Sequence, residues 1–455
     1  MFSLIKEYTP YYRRNLKVAV PVVISQAGQV TVMLAANIMV GWVNAMELAA
    51  ISFASAVYSI GMVFGMGFAI GITPLIGISY GEKNFRKAAS FFQNSLLLNF
   101  ICTVLCMVLM FFIGSFFDYM GQEEAVIKIA KPVYYMFVLS FFPQMIFFSG
   151  KQFAEGIGNT KISMYITISC NVLNIILNYL LIFGKFGCPA LGAYGAAVAT
   201  LITRLVMAAG FIIVFSLYPS FRRYFLFFSK AGFLWKRIKE LVRVSTPVAL
   251  QIGLEMLTFS FCTIMTGWVD GNSLAANQIA LSMAMLTFMV VTGVSSATTI
   301  RVSHQLGAKN FVGVRKAGFA SMHLALCFMT VTGICFIVFR NFIPLLFNNE
   351  PIVSAIAAQL LIAAGIFQVF DGLQSVSMAA LRGLTDTAKP MFIAFVSYII
   401  VCLSAGYYLA FVVGLGAVGI WMGYVVGLGL AAVWLTSRFH RKSKHLLHIS
   451  KTDQT

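Results

Sequence analysis

The sequence predicts an all-α integral membrane protein, with twelve transmembrane helices in two pseudo-symmetric six-helix bundles. Three observations carry that expectation: the composition, a series of apolar runs of spanning length, and a repeat at half the chain length. Of 455 residues, 60% are hydrophobic and only 10% charged, with 43 Phe and a mean hydropathy of +0.89. Soluble domains are about half apolar and roughly a quarter charged, so this balance excludes an ordinary soluble enzyme or binding module. The 32 Lys and Arg outnumber the 14 Asp and Glu, leaving a net charge of +18. A nucleic-acid groove needs a folded soluble surface, which this composition does not supply. The expected partners of the positive charge are membrane lipids, and no nucleic acid.

A helix needs about 20 apolar residues to cross roughly 30 Å of hydrocarbon. Such runs lie at 18–43, 48–79, 92–117, 129–154, 162–184 and 191–217 in the first half. The second half supplies 243–269, 274–300, 318–347, 353–380, 390–413 and 415–437. None alternates as a barrel strand does. The first follows a charged arm with no small-residue cleavage motif behind it, and so reads as a retained span. The expected organisation is an N-lobe at 1–218, a linker at 219–242, a C-lobe at 243–437 and a basic tail at 438–455. In the linker, "FLWKRIKELVRV" puts Leu234, Ile238, Leu241 and Val242 on one helical face and most of its basic residues elsewhere. That is the pattern of an interfacial amphipathic helix. Loop charge sets the orientation. With the N-terminus inside, cytoplasmic segments hold 27 basic residues, and the opposite face holds only Lys128, Lys131, Lys185 and Arg340. Both termini are therefore expected in the cytoplasm.

The repeat is a set of phrases held at one offset. "IMVGWV" from Ile38 returns as "IMTGWV" from Ile264, Pro21 as Pro247, "LAA" from Leu48 as "LAA" from Leu274, and "GEKNF" from Gly81 as "GAKNF" from Gly307, all 226 residues apart. "EGIGNTK" from Glu155 resembles "RGLTDTAK" from Arg382 at 227, and "LGAYG" from Leu191 resembles "LGAVG" from Leu415 at 224. Chance likeness of apolar segments does not keep an offset within three residues across markers of mixed polarity. Six helices is an even number, so the halves are parallel duplicates, as in many transporters.

No phosphate-binding loop, H-E-x-x-H or G-x-S-x-G occurs, so no catalytic residues and no cofactor are expected. "GMGFAIG" from Gly65 lacks dinucleotide spacing and reads as close helix packing. The eight cysteines form no C-x-x-C pair. Most acids fall in loops or at helix ends; Glu255, midway along span 7, and Asp371, inside span 10, do not. An ionised carboxylate at mid-bilayer costs about 3 kcal/mol even on lenient scales, so it needs a partner or a proton. No basic residue falls at comparable depth in either span, and Arg204 in span 6 belongs to the other lobe. The duplication maps Glu255 onto Gln29 and Asp371 onto Gln144, so one lobe carries acids where the other carries amides. Glu255 and Asp371 are the expected cation-coupling pair, with Gln278 and Gln374 as neighbouring oxygen sources for Na+. Gln29, Asn37, Gln144, Asn174 and Asn178 either line a substrate cavity or make interhelical hydrogen bonds.

The chain resembles the multidrug and toxic compound extrusion family, and its NorM branch most. The residues that carry the likeness are "IMVGWV…ELAAIS", "SYGEKN", "NVLNIILNYLLIFGKFG", "LGAYGAAVAT", "LAANQIA" and "FDGLQSVSMAALRGLTDT". The resemblance implies two six-helix lobes that export cationic or amphiphilic small-molecule drugs in exchange for inward Na+ or H+. It also implies a bacterial inner-membrane location, and the chain is expected to act as a monomer. One departure stands out. Where the NorM branch usually has an aspartate in a D-x-x-M-x-G phrase, this chain has Ala36-Asn37-Ile38-Met39-Val40-Gly41. A lipid-linked precursor flippase of a related superfamily stays open as the alternative, although such proteins tend to need a more basic cavity. The topology is directly testable. Cysteines placed at Lys83 and Lys309, in a background without native cysteines, should resist impermeant thiol reagents in intact cells; rapid labelling would invert the assignment.

Overall fold

The computed structural model describes residues 2–228, 233–347 and 350–452. Among the described residues every regular element is helical, and twelve helices are long and apolar enough to span a membrane. They are α1 (Phe2–Gly41), α2 (Ala45–Gly81), α3 (Phe85–Gly114), α4 (Glu124–Gly156), α5 (Thr160–Phe183) and α6 (Gly192–Leu217), then α7 (Trp235–Val269), α8 (Gly271–Gly307), α9 (Phe311–Val338), α10 (Pro351–Gly383), α11 (Ala388–Val412) and α12 (Gly416–Thr452). The protein is a multi-pass membrane protein. α3 makes the reason plain: Leu105, Val108, Leu109, Phe111 and Phe112 are 59–65% exposed along one helix. In water such a patch would drive association, whereas in hydrocarbon it sits in its own solvent.

Several boundaries differ from those of the apolar runs. α1 starts at Phe2, so Pro21 lies inside an unbroken helix rather than in a first turn. α2 is interrupted at Gly71 and Ile72, where the backbone turns before the helix resumes at Thr73. The amphipathic stretch of the linker is not a separate element. From Trp235 it runs straight into α7, because no glycine or proline intervenes before Pro247; of the predicted apolar face Leu241 is buried in the core, whereas Leu234 and Val242 are exposed. The basic tail likewise continues α12, with Phe439 and Ser443 fully buried. Linker residues 229–232 and tail residues 453–455 lie outside the described residues.

The duplication reappears as backbone geometry. Asn44 and Asp270 cap α2 and α8 from the same extended conformation, each accepting a backbone N–H three residues on at 2.7 Å. Hydrogen bonds from Ser273 favour the ionised form of Asp270 and hold its carboxyl below the usual range. Lys83 and Lys309 take left-handed φ values of +56° and +54°. The next N–H in each case reaches back five residues, Asn84 to Ser79 O at 3.0 Å and Asn310 to Gln305 O at 2.9 Å. This closure satisfies carbonyls left over at the helix end, and it recurs after α4 and α10 at Asn159 and Asp386.

The chain forms two compact units. One comprises 24–80 and 84–249; the other comprises 1–23, 81–83 and 250–455. Each six-helix half is thus completed by the opening turns of the helix that starts the other half, and both changeovers fall two residues after a repeat proline. In the first-half unit, a side chain at Gly67 would place its Cβ 2.7 Å from Ala249 Cα, so α2 and α7 meet backbone to backbone. In the second-half unit, Gly293 meets Val23 in the same way, with Val23 N only 3.0 Å from the Cβ position. Gly67 and Gly293 are 226 apart, as are Val23 and Ala249. The first-half core is aromatic, built around Phe92 stacked on Phe153 at 4.2 Å with Phe211, Phe215 and Tyr224 nearby. Gly67→Ala and Gly293→Ala should each lower thermal stability by about 1–3 kcal/mol through overpacking against backbone. Gly271→Ala, where nothing lies within 4 Å, should not. Fluorescence-detected thermal denaturation of the three variants makes the comparison.

Candidate functional site

The polar side chains of the second-half unit converge between α7, α10 and α11. On α7, Gln251, Glu255, Thr258 and Cys262 recur at three- and four-residue spacings and share a face. On α10, Asp371 is 3% exposed and accepts a hydrogen bond from Gln374 Nε2 at 3.3 Å. Gln374 in turn accepts at Oε1 from the Tyr398 hydroxyl, at 2.8 Å. Glu255 is half-buried and lines a narrow cleft with Thr258, Phe259, Tyr398, Tyr424 and Leu428. Tyr398, bonded to Gln374 beside Asp371, also lines the cleft that holds Glu255, so the predicted pair is brought together.

α11 reaches this site by an irregular route. Residues Val396–Cys402 and Tyr408–Val412 are wound as π-helix, a local widening frequent at functional sites. The facing helix allows it through a glycine stripe: Gly419, Gly423 and Gly427 would set Cβ atoms 2.6 Å from Ala410 N, 2.5 Å from Gly406 Cα and 2.9 Å from Cys402 Cα. Small residues every four positions let two backbones touch. The widened turn carries Tyr398 to Gln374 and Cys402 into hydrogen-bond contact with Cys262, which also meets Tyr424. Phe367, one turn before Asp371, adds an aromatic wall with Phe259, Trp421 and Tyr424.

Other predicted residues are placed differently. Gln374 joins the pair, turning its N–H to Asp371 and its oxygen to Tyr398. Gln278 is exposed; its neighbour Asn277 faces inward and accepts from Trp421 Nε1 at 2.9 Å. In the first-half unit, Asn178 donates to Asn174 at 2.8 Å and Asn174 to Thr203 at 3.0 Å. Asn174 thus joins α5 to α6, whereas Asn178 bonds within α5 and keeps a buried Oδ1 without a partner. Gln144 is buried, and Gln29 and Asn37 are half-buried. Arg204 donates to Tyr58 at 2.7 Å and Ser140 at 2.6 Å, with its guanidinium 5.0 Å over the Tyr58 ring.

One sequence inference needs correction, and one enclosed acid is added. Glu255 does have a basic neighbour: Arg382, in the last turn of α10, donates to Gln251 at 3.4 Å while interacting with Glu255. In the first half the last turn of α4 encloses an acid at a helix end: Glu155 is 2% exposed and 3.9 Å from Lys151. Both were hidden because apolar runs end before a charged residue, whereas helices and burial continue past it. Their alignment in the repeat, Glu155 with Arg382, was the available signal. Nothing in a 3.6-residue pattern signals Tyr398, which owes its direction to the π turn.

Twelve helices in duplicated halves, with ionisable groups enclosed between spans, define a membrane transporter rather than an enzyme. The model of the MatE family matches residues 21–180 and 247–408, two segments starting at the repeat prolines, and the chain belongs to that family of multidrug transporters. It is 31% identical over 411 residues to the "Probable multidrug resistance protein NorM" of Rhizobium meliloti (strain 1021), covering 89% of this chain and 88% of that protein. It is likewise 31% identical over 413 residues to the NorM protein of Mesorhizobium japonicum, covering 88% of each. Among solved structures, a MATE protein in the bent conformation superimposes with a TM-score of 0.87 at 21% identity, covering 98% of this chain and 97% of that one. A MATE protein in the straight conformation gives 0.86 at 22% identity, covering 96% of this chain and 97% of that one. Tyr398→Phe should cost about 1–3 kcal/mol by stranding the Gln374 carbonyl in a buried site. Thermal denaturation of the purified protein checks it, and an unchanged midpoint would mean that the hydrogen bond is dispensable.

Proposed function

We propose that this chain exports amphiphilic, mostly cationic drugs across a bacterial inner membrane by antiport with Na+ or H+. Glu255 and Asp371 are the coupling pair. The observation that carries the proposal is their juxtaposition inside a membrane-spanning unit, at positions where the other half has Gln29 and Gln144. Two carboxylates in a poorly solvated site repel, so a proton or a cation held between them stabilises the pair. The ion enters from the outside, loads the pair, and is released when the site is next open to the cytoplasm, while the drug travels the opposite way. Na+ would take the carboxylate oxygens as hard ligands; H+ would bridge them.

The substrate preference follows from side-chain chemistry. Flat cations gain roughly 0.5–2 kcal/mol over an aromatic face. The chain's 23 Met allow one cavity to re-form around different shapes. In this reading both termini are cytoplasmic, supported by the loop charges, and the chain works as a monomer among anionic lipids. The test is reconstitution into liposomes with Na+ and pH gradients imposed separately. Glu255→Gln and Asp371→Asn should each lose at least about tenfold in ion-driven dye transport, a deficit of about 1.4 kcal/mol or more, while still binding dye. If both pump at the wild-type rate, the coupling site lies elsewhere. Transport of a lipid-linked anion but of no dye would favour the flippase.

A further inference from the structure

Glu255, on its side of the carboxylate pair, shares its surroundings with one permanent positive charge. Arg382 lies eleven residues beyond Asp371 on α10, and its guanidinium donates to the side chain of Gln251, one helical turn before Glu255 on α7. Its Nε is buried with no hydrogen-bond partner. Gln251 is neutral, so nothing in that contact cancels the guanidinium charge. Among the described residues, the charged groups acting on Glu255 are Asp371 and Arg382. Tyr398 and Gln374 complete the cluster and are uncharged at neutral pH. An arginine does not give up its proton in a protein, so this positive charge is present throughout the cycle.

We propose that Arg382 is the resident counter-cation of the Glu255–Asp371 pair and sets the coupling ratio at one monovalent cation per transport cycle. The inference rests on the coupling role of that pair. Two carboxylates and one guanidinium leave a single negative charge. One Na+ or one proton brings the cluster to neutrality, and a second would leave it positive. Net charge enclosed in hydrocarbon opposes any movement of the unit that holds it, so the singly loaded cluster is the form that reorients. The other half supplies a comparison. There the repeat equivalent of Arg382 is Glu155, and Lys151 stands one turn from it at 3.9 Å. That pair is neutral as it stands and calls for no ion.

The ratio can be read in two ways. In proteoliposomes exchanging one ion for one monovalent cationic dye, no net charge crosses. A tenfold ion gradient then supports about tenfold dye accumulation, and an imposed membrane potential leaves that limit unchanged. Replacing the guanidinium in Arg382→Gln should raise the ratio to two, moving the limit toward about a hundredfold and making it sensitive to potential. Arg382→Lys, which keeps the charge, should behave as wild type. Independently, equilibrium dialysis with ²²Na+, or proton release followed with a pH dye, should count one ion per wild-type chain. A wild-type ratio of two overturns the inference whether or not Arg382→Gln folds, as does a folded Arg382→Gln that still exchanges one for one. Failure of the underlying reading looks different: Glu255→Gln and Asp371→Asn would then take up the ion as well as wild type does.

Discussion

A charge inside hydrocarbon must be met by another group of the same protein, and much of this structure follows from that requirement. The first-half unit meets it with local pairs. Lys151 and Glu155 lie one turn apart on α4, and Arg204 is held by two hydroxyls and an aromatic face. At the edge of the second-half unit, Asp386 binds Arg438 at 2.7 Å and Lys442 at 3.1 Å, which ties the end of α12 to the turn after α10. Glu255 and Asp371 stand apart, as two acids in one cluster with Arg382 beside Glu255.

Close backbone approach is the second organising feature. Lipid gives no hydrophobic reward for bringing helices together, so contact depends on shape, and glycine provides it where main chains meet. Gly67 and Gly293 admit the opening turns of α7 and α1, and the Gly419, Gly423 and Gly427 stripe admits the π-wound α11. The same device therefore serves both the close packing of α2 on α7 and of α8 on α1 and the shaping of the site. The aromatic core of the first-half unit and the small-residue packing of the second show two ways of filling interiors built on one plan. The aromatic filling comes with neutral amides at the repeat positions, and the glycine filling with the carboxylates.

Span number, the duplication and the mid-span acids Glu255 and Asp371 were all legible in the sequence. Each depends on a local property: the length of an apolar run, a phrase repeated at a fixed offset, or an acid where an acid is costly. What the runs could not show is where helices end. Hydropathy falls at the first charge, yet α7, α10 and α12 continue because their backbones stay hydrogen-bonded and one face stays buried.

Partnership was decided by the tertiary structure alone. Asn174 reads equally well as cavity lining or as helix glue, and only Thr203 on α6 shows it joining two helices. Arg382 read as a loop charge until α10 carried it to Gln251, and Tyr398 had no readable direction before the π turn aimed it at Gln374. Hydropathy and repeats are sums over neighbours in the chain, so the sequence by itself determined the class of protein and the residues that had to be explained. A hydrogen bond or an ion pair depends on neighbours in space. Which group answers each buried charge was settled only when helices far apart in sequence packed side by side.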